Sequence, residues 1–547
     1  MKRLNSNRFF WPTILVVASL AAVGGFVRYL IAANELLWLD ELHTSWVVNA
    51  SLTEVLQRAA SGNQSPVFFW LTWPAVMAWG ESELTIRLVG LIAGVATIVA
   101  VGWLVFRWTD SILGAVSAAL IVAFDGQFIY YGSEARPYSL LQFLSIVQVG
   151  FFWASVSKSI ETTSKLLSWA NVGLVITSVL LVYVHYTVAW LFVVQAAFVV
   201  YWLMANSEFR KRFLSHALAV AAVFGVLCVP ALFQMMSVFD RRANWSSVSS
   251  IDDLFFQQRV PILLWLALPV LAVVVSIVLG KQIGSDADAG SLATEDAEVS
   301  GHWVVTGSMS RFVFVFAWAL VPTLTVAMLD FFEIAPLALV RYTLVGSVAM
   351  PVFAGIVVGW LEHRRIKTML AIFLVATVLF FSPITSGEFI TSGFQSEQLG
   401  QFRQENWKSP IDVINDEKSK SGHPVFLAAN LIEDVEAFTS SDSAFQDYLL
   451  FPVSGLHKIQ RVSSDGQSRE LIACPTEPLE HFRSEDIELI KKSGGAWVIV
   501  RGTQGLAHEL ETEIVEKSRL ISEGKGSINV NRYEVRGSVV YLLSLDW

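Results

Sequence analysis

Two adjacent carboxylates stand in the run Trp38-Leu39-Asp40-Glu41-Leu42-His43-Thr44, directly after the first long apolar stretch of the chain. Partial desolvation at a membrane edge raises a carboxylate's proton affinity, and a group so tuned suits the work of a general base. An acid pair is equally at home at a helix N-terminus or on a solvated loop. A second run, Tyr130-Tyr131-Gly132-Ser133-Glu134-Ala135-Arg136-Pro137-Tyr138, holds an acid and a guanidinium spaced to pair with each other or to meet a ligand. Its Arg136-Pro137 fits a helix start, because proline is tolerated in a first turn. Asp125 lies one to two turns away inside an apolar stretch, where an acid is costly and is kept for a reason. His185-Tyr186 and Arg341-Tyr342 complete the candidates. A lone histidine is a hydrogen-bonded interface residue or a ligand, and an arginine at a span end can simply snorkel. A feasible carboxylate base thus stands in the same chain as guanidinium forks suited to phosphate oxygens.

The elements that must position these residues are membrane helices. Of 547 residues 54% are hydrophobic and 16% charged, a balance far from that of a soluble or a disordered chain. Twenty Trp and 37 Phe fit rings placed at membrane–water interfaces. Cys228 and Cys474 cannot form a disulfide framework, and no Cys/His group has zinc spacing. Apolar runs of about 20 residues predict eleven spans. They lie near 11–33, 87–106, 112–131, 139–156, 166–184, 187–204, 213–234, 260–279, 312–330, 342–360 and 367–383. Pro66 to Trp79 is apolar but short and Trp-rich, and is expected to lie along the interface.

Charge divides the chain. Up to Pro383 there are 22 basic and 22 acidic residues, and from Ile384 onward 16 and 25, so the net −9 belongs to the last 164 residues. The expected domains are therefore a membrane domain over 1–383, with a first outer loop at 34–86 and a cytoplasmic linker at 281–311, and an acidic domain over 384–547. The negative balance disfavours nucleic acid as a partner. Clusters such as Arg210-Lys211-Arg212 and Arg364-Arg365 mark the cytoplasmic side, which puts the N-terminus inside and the acidic tail outside. On the outer side the membrane part then carries Arg28, Arg58, Arg87, Arg136, Arg241, Arg242, Arg259 and Arg341, and no lysine. Topology treats Lys and Arg alike, whereas the planar fork of Arg suits phosphate oxygens. In the tail, Pro424–Ala428, Ala496–Val500 and Val539–Leu543 read as strands and Ser484–Lys492 as a helix, which predicts a small α/β domain.

In this order the segments resemble bacterial GT-C type membrane glycosyltransferases, related to protein O-mannosyltransferases and lipid A aminoarabinose transferases. The resemblance rests on Asp40-Glu41, Pro66, Glu83 with Arg87, Tyr130-Tyr131, Glu134-Ala135-Arg136-Pro137-Tyr138, His185-Tyr186, Arg341-Tyr342 and Asn406-Trp407-Lys408. Many relatives have His-Pro-Pro where this chain has Gln64-Ser65-Pro66, and Asp125 stands where they tend to have a small residue. The resemblance implies a GT-C fold in a polytopic helical membrane protein with a soluble C-terminal α/β domain, lodged in a bacterial inner membrane. It implies transfer of a sugar from a polyprenyl-phosphate carrier to a lipid, glycan or protein acceptor on the outer face. Asp40 would be the base, with Glu41 orienting the acceptor or sharing that role. Arg136 and Arg341 would meet the lipid phosphate, and Glu134, Tyr138, His185, Tyr186 and Tyr342 would line the substrate site. Nothing in the sequence requires a cofactor, although the carboxylates leave room for a divalent cation. A polymerase or ligase of lipid-linked saccharides would also want outer arginines, but not the acid pair of the first loop. A transporter would show paired repeats and charges near mid-membrane.

Overall fold

The computed structural model describes residues 3–62, 64–161, 167–205, 210–240, 254, 261–284, 308–335, 337–361, 364–381, 405–431, 433, 443–462, 466–475, 480–521, 528–533 and 538–547. Most of the expected linker at 281–311, the boundary at 383–384, and Arg241, Arg242 and Arg259 lie outside these residues. The chain divides into two compact units. One comprises Met1–Leu30, Val89–Arg242 and Ser246–Ile390, and the other Ile31–Leu88, Ala243–Trp245 and Thr391–Trp547. The first outer loop thus shares a unit with the tail.

The first unit is helical. The chain opens with α1 (Arg3–Asn34), which begins this unit, and the first outer loop carries α2 (Leu39–Val48), α3 (Leu52–Ser61) and α4 (Val67–Trp79). There follow α5 (Glu83–Thr109), α6 (Ile112–Phe124), α7 (Gly126–Gly132), α8 (Tyr138–Glu161), α9 (Trp169–Val184) and α10 (Ala189–Ala205). Each of the eleven expected spans contains helix, but among the described residues six helices are long and apolar enough to cross a membrane, or seven if the bent pair α6–α7 is one span. Trp169–Val184, Ile262–Val278 and Leu344–Trp360 are shorter apolar helices, and Arg364–Phe381 opens on three basic residues. At 13 residues α4 reaches about 20 Å, short of a hydrocarbon core of about 30 Å.

Small residues set one close helix contact. A Cβ on Gly114 of α6 would stand 2.5 Å from the Gly355 carbonyl oxygen, and one on Gly355 would stand 2.7 Å from the Ala118 Cβ. With Gly359 a turn further on, this is the small-residue seam by which membrane helices approach closely when no hydrophobic drive separates lipid from protein. Polar side chains add glue between α8, α9 and α10: Gln148 and Gln195 exchange amide bonds at 3.0 and 2.7 Å, and Ser155 donates to Asn171 at 2.6 Å.

The α6–α7 break explains Asp125. The axis turns by 61° there, and the Asp125 carboxylate caps α7 by accepting from the Gln127 N–H at 3.0 Å. The carbonyls freed at the end of α6 are met by Arg28, which is fully buried and donates to Val122 O at 2.6 Å and Ala123 O at 2.9 Å, and also to Gly24 O at 2.9 Å. Unmet carbonyls in a bilayer would each be destabilising by several kcal/mol.

The tail builds a five-stranded sheet in the order β2-β1-β3-β5-β4, from β1 (Val425–Ala428), β2 (Leu471–Ala473), β3 (Gly495–Arg501), β4 (Asn529–Tyr533) and β5 (Val540–Asp546). β1 lies parallel to β2 and β3, whereas β5 runs antiparallel to β3 and β4. Ala496 to Val500 are all buried, as a central strand requires. Ser484–Ser493 and Gln504–Ile521 contribute Ile487, Ile490, Leu510 and Ile514 to a core with Phe426, Phe482 and Val498. Gly494, at φ +73°, ends the first of these helices in the left-handed turn that glycine favours.

Replacing Arg28 by Met should destabilise the protein by about 3 kcal/mol or more, since several buried carbonyls lose their donor. Thermal unfolding in detergent checks this, and Arg28→Lys should recover only part, because an ammonium cannot span the same carbonyls in a fixed fork.

Candidate active site

The first-loop carboxylates are held by residues far away in sequence. Trp38 is extended at the start of α2 and its side chain caps nothing. The orphan N–H of Leu39 instead donates to Glu405 Oε2 at 2.7 Å. Trp407 Nε1 donates to the same oxygen at 2.9 Å, and Arg501 Nε holds Glu405 Oε1 at 2.8 Å. Asp40 and Glu41 then occupy the first turn, where the helix field favours anions.

Their environments differ. Glu41 is fully buried and forms a two-pronged pair with Arg87, Nε to Oε1 at 2.7 Å and Nη2 to Oε2 at 2.5 Å. Arg87 also donates from Nη1 to Ala32 O at 3.0 Å and Glu35 O at 2.6 Å, and from Nη2 to Leu36 O at 3.0 Å. All five guanidinium protons are thereby used, and Glu41 ties α2 to the carboxyl end of α1. Asp40 is half-buried, beside a carboxylate whose charge Arg87 already balances. Further along α2, Ser45 donates to Glu81 at 2.5 Å and accepts from Leu456 N–H at 2.6 Å. The His43 ring lies against Trp46, Phe69, Tyr448 and Phe451.

The membrane unit gathers most of the other candidates at the ends of α7, α9 and the 3-10 turn Val340–Tyr342. Glu134 is fully buried and Arg136 nearly so. Gly90 of α5 permits this approach, because a Cβ there would collide with the Glu134 carbonyl, and the Gly90 carbonyl accepts from Ser139 Oγ at 2.9 Å. Ring contacts then run from Tyr131 to Tyr138 at 5.2 Å, Tyr138 to His185 at 5.8 Å, and His185 to Tyr342 at 6.0 Å. Arg341 lies 5.3 Å over the Tyr342 ring. His185 ends α9 and caps the next turn, its Nδ1 accepting from Thr187 N–H at 3.4 Å. An accepting Nδ1 leaves the proton of the neutral ring on Nε2, as a donor. Burial, with Arg341 and Arg136 adding to it, lowers the His185 imidazole to about 4. Among the described residues Tyr186 makes no ring contact with this set.

Of the eight arginines read as outer, several of them expected to meet an anionic head group, three are taken by helix ends. Arg28 serves α6, Arg87 serves α1, and Arg58 donates to Trp46 O at 2.6 Å near the end of α2 while lying 4.8 Å over the Trp46 ring. The functional residue that sequence reasoning missed is Glu405, which lies 366 positions from the N–H it caps and carries no local signal. Among the described residues no group of three or more His, Cys, Asp or Glu could hold a metal ion.

With its bundle of membrane helices and its small C-terminal sheet, the chain has the GT-C fold of membrane glycosyltransferases. It is similar to ArnT, a lipid A aminoarabinose transferase, from Cupriavidus metallidurans, solved bound to undecaprenyl phosphate, with TM-score 0.52 and 13% identity over 98% of both chains. The apo form of that protein gives TM-score 0.51 and 12% identity over the same shares. An oligosaccharyltransferase from Archaeoglobus fulgidus follows at TM-score 0.46 and 13% identity, over 90% of this chain and 70% of that one. No protein-family model matches the sequence, and no curated protein matches it.

Removing Glu41 alone leaves a buried guanidinium without its counter-charge. Glu41→Leu should therefore destabilise the protein by about 3–5 kcal/mol, and Glu41→Leu/Arg87→Met should be milder than the single change. Thermal unfolding in detergent reads both, with limited proteolysis of the first loop alongside.

Proposed function

We propose that the protein transfers a sugar from a polyprenyl-phosphate carrier to an acceptor hydroxyl on the outer face of the membrane. The observation that carries this is the aromatic set Tyr131, Tyr138, His185 and Tyr342 with Arg136 and Arg341 beside a neutral histidine. It occurs in a GT-C fold similar to that of ArnT, which was solved bound to undecaprenyl phosphate.

Asp40 is the base. It takes the proton from the acceptor hydroxyl as that oxygen forms its bond to the anomeric carbon. The bond from that carbon to the phosphate oxygen breaks, and its electron pair leaves with the lipid phosphate, whose charge rises from one to two negative units. Arg136 and Arg341 stabilise that growth, and the phosphate needs no proton to depart. Direct displacement inverts the anomeric configuration. Glu41, with both oxygens on Arg87, positions the helix that carries Asp40. His185 offers Nε2–H to a phosphate or sugar oxygen, and Glu134, Tyr138, Tyr186 and Tyr342 line the substrate site. The acceptor is a lipid, a glycan or a protein.

Asp40→Asn and Arg136→Ala should each lower transfer at least about a hundredfold in purified protein that inserts and unfolds normally. Full activity in Asp40→Asn would sink the assignment of the base. Arg341→Lys should weaken polyprenyl-phosphate binding, because the fork is lost while the charge stays. Since the His185 ring is neutral above pH about 4, His185→Gln should lower the rate without reshaping the pH profile between pH 5 and 8; a vanished inflection there would contradict a neutral role.

A further inference from the structure

About 25 Å further along α5 than Gly90, a separate cavity of about 460 Å³ opens between α5, α8 and the helix Ser308–Phe331. Arg107, from the last turn of α5, and Arg311, from the first turn of Ser308–Phe331, both line it, with Trp103, Trp108 and Trp153. The remaining lining is mainly aliphatic, including Leu104, Ile146 and Val147.

Among the described residues neither guanidinium forms an ion pair, although Asp110 follows Arg107 by three positions. Arg107 rests 5.8 Å over Trp103, and Arg311 rests 5.7 Å over Trp108 and 5.9 Å over Trp153. Among the described residues Arg311 makes one hydrogen bond, from Nη1 to Trp108 O, long at 3.4 Å, and its buried Nε meets no acceptor. Trp153 Nε1 is likewise buried and without an acceptor, on a side chain only 3% exposed. These are donors in want of an oxyanion, and a buried donor left unmet is destabilising by about 1–3 kcal/mol. Elsewhere in this protein arginines at helix ends find carbonyls, as Arg28, Arg58 and Arg87 do. Trp103 is 45% exposed on the side of α5, so the aliphatic part of the cavity continues toward lipid.

We propose that this cavity binds the phosphate head group of an anionic membrane lipid, with Arg107 and Arg311 on the phosphate and an acyl chain against Leu104, Ile146 and Val147. The distribution of Lys and Arg makes this end of the helices cytoplasmic, where anionic head groups meet basic pockets between membrane helices. The site does not depend on the transfer reaction and shares no residue with it.

The test is native mass spectrometry of the full-length protein in a non-ionic detergent, titrated with phosphatidylglycerol, with diacylglycerol of the same chains, and with inorganic phosphate. One phosphatidylglycerol should bind at least about tenfold more tightly than diacylglycerol, and Arg107→Gln and Arg311→Gln should each weaken it about fivefold. Equal retention in the double variant overturns the site. Displacement of the lipid by millimolar inorganic phosphate overturns the lipid as the source of the oxyanion. Unfolding midpoints report whether the variants are folded, and if Arg311→Gln is not, Arg107→Gln on its exposed side chain decides the matter by the same criterion.

Discussion

Every helix that ends inside a membrane protein leaves carbonyls with no partner within the helix, and in a low-dielectric setting those groups must be met by something. Here arginine meets them. Arg28 closes the end of α6 where the span breaks at Asp125, Arg87 closes α1, and Arg58 closes α2. Guanidinium suits the task because one planar group reaches several carbonyls at once and keeps its charge when buried. Carbonyl capping thus accounts for Arg28, Arg58 and Arg87, three of the arginines that the charge distribution places on the outer side.

The same constraint fixes the acid pair. Glu41 reaches into the apolar interior only because Arg87 balances it, and Arg87 is fixed only because α1 ends beside it. The start of α2 has no local cap, and Glu405 supplies one from a segment whose Trp407 and Arg501 hold its other lone pairs. The tail thus braces the helix that carries Asp40. Two neighbouring carboxylates, similar in the sequence, acquire different work: Glu41 is consumed by structure, while Asp40 stays half-buried with a balanced neighbour.

Much of this was legible in the chain itself. Membrane helices announce themselves by apolar length, and the strands at Val425, Trp497 and Val540 by short runs of large apolar residues. β2 and β4 were not legible, because Leu471–Ala473 is three residues long and Asn529–Tyr533 is a polar edge with an exposed pattern. The candidate site was legible as types and order, since Tyr, Glu, Arg and His recur at the ends of apolar runs. Its partition was not. Whether Glu41 faces substrate or Arg87, and whether Arg28 meets phosphate or carbonyls, depends on contacts between segments tens to hundreds of residues apart, for which sequence spacing carries no signal.

The central claim is that the protein handles a sugar carried on polyprenyl phosphate. Mass spectrometry of the lipids that co-purify with the full-length protein tests it most directly. The account predicts a polyprenyl phosphate bearing one glycosyl residue, together with free polyprenyl phosphate, its product. A preparation that holds glycerophospholipid and no polyprenyl phosphate of either kind would contradict it.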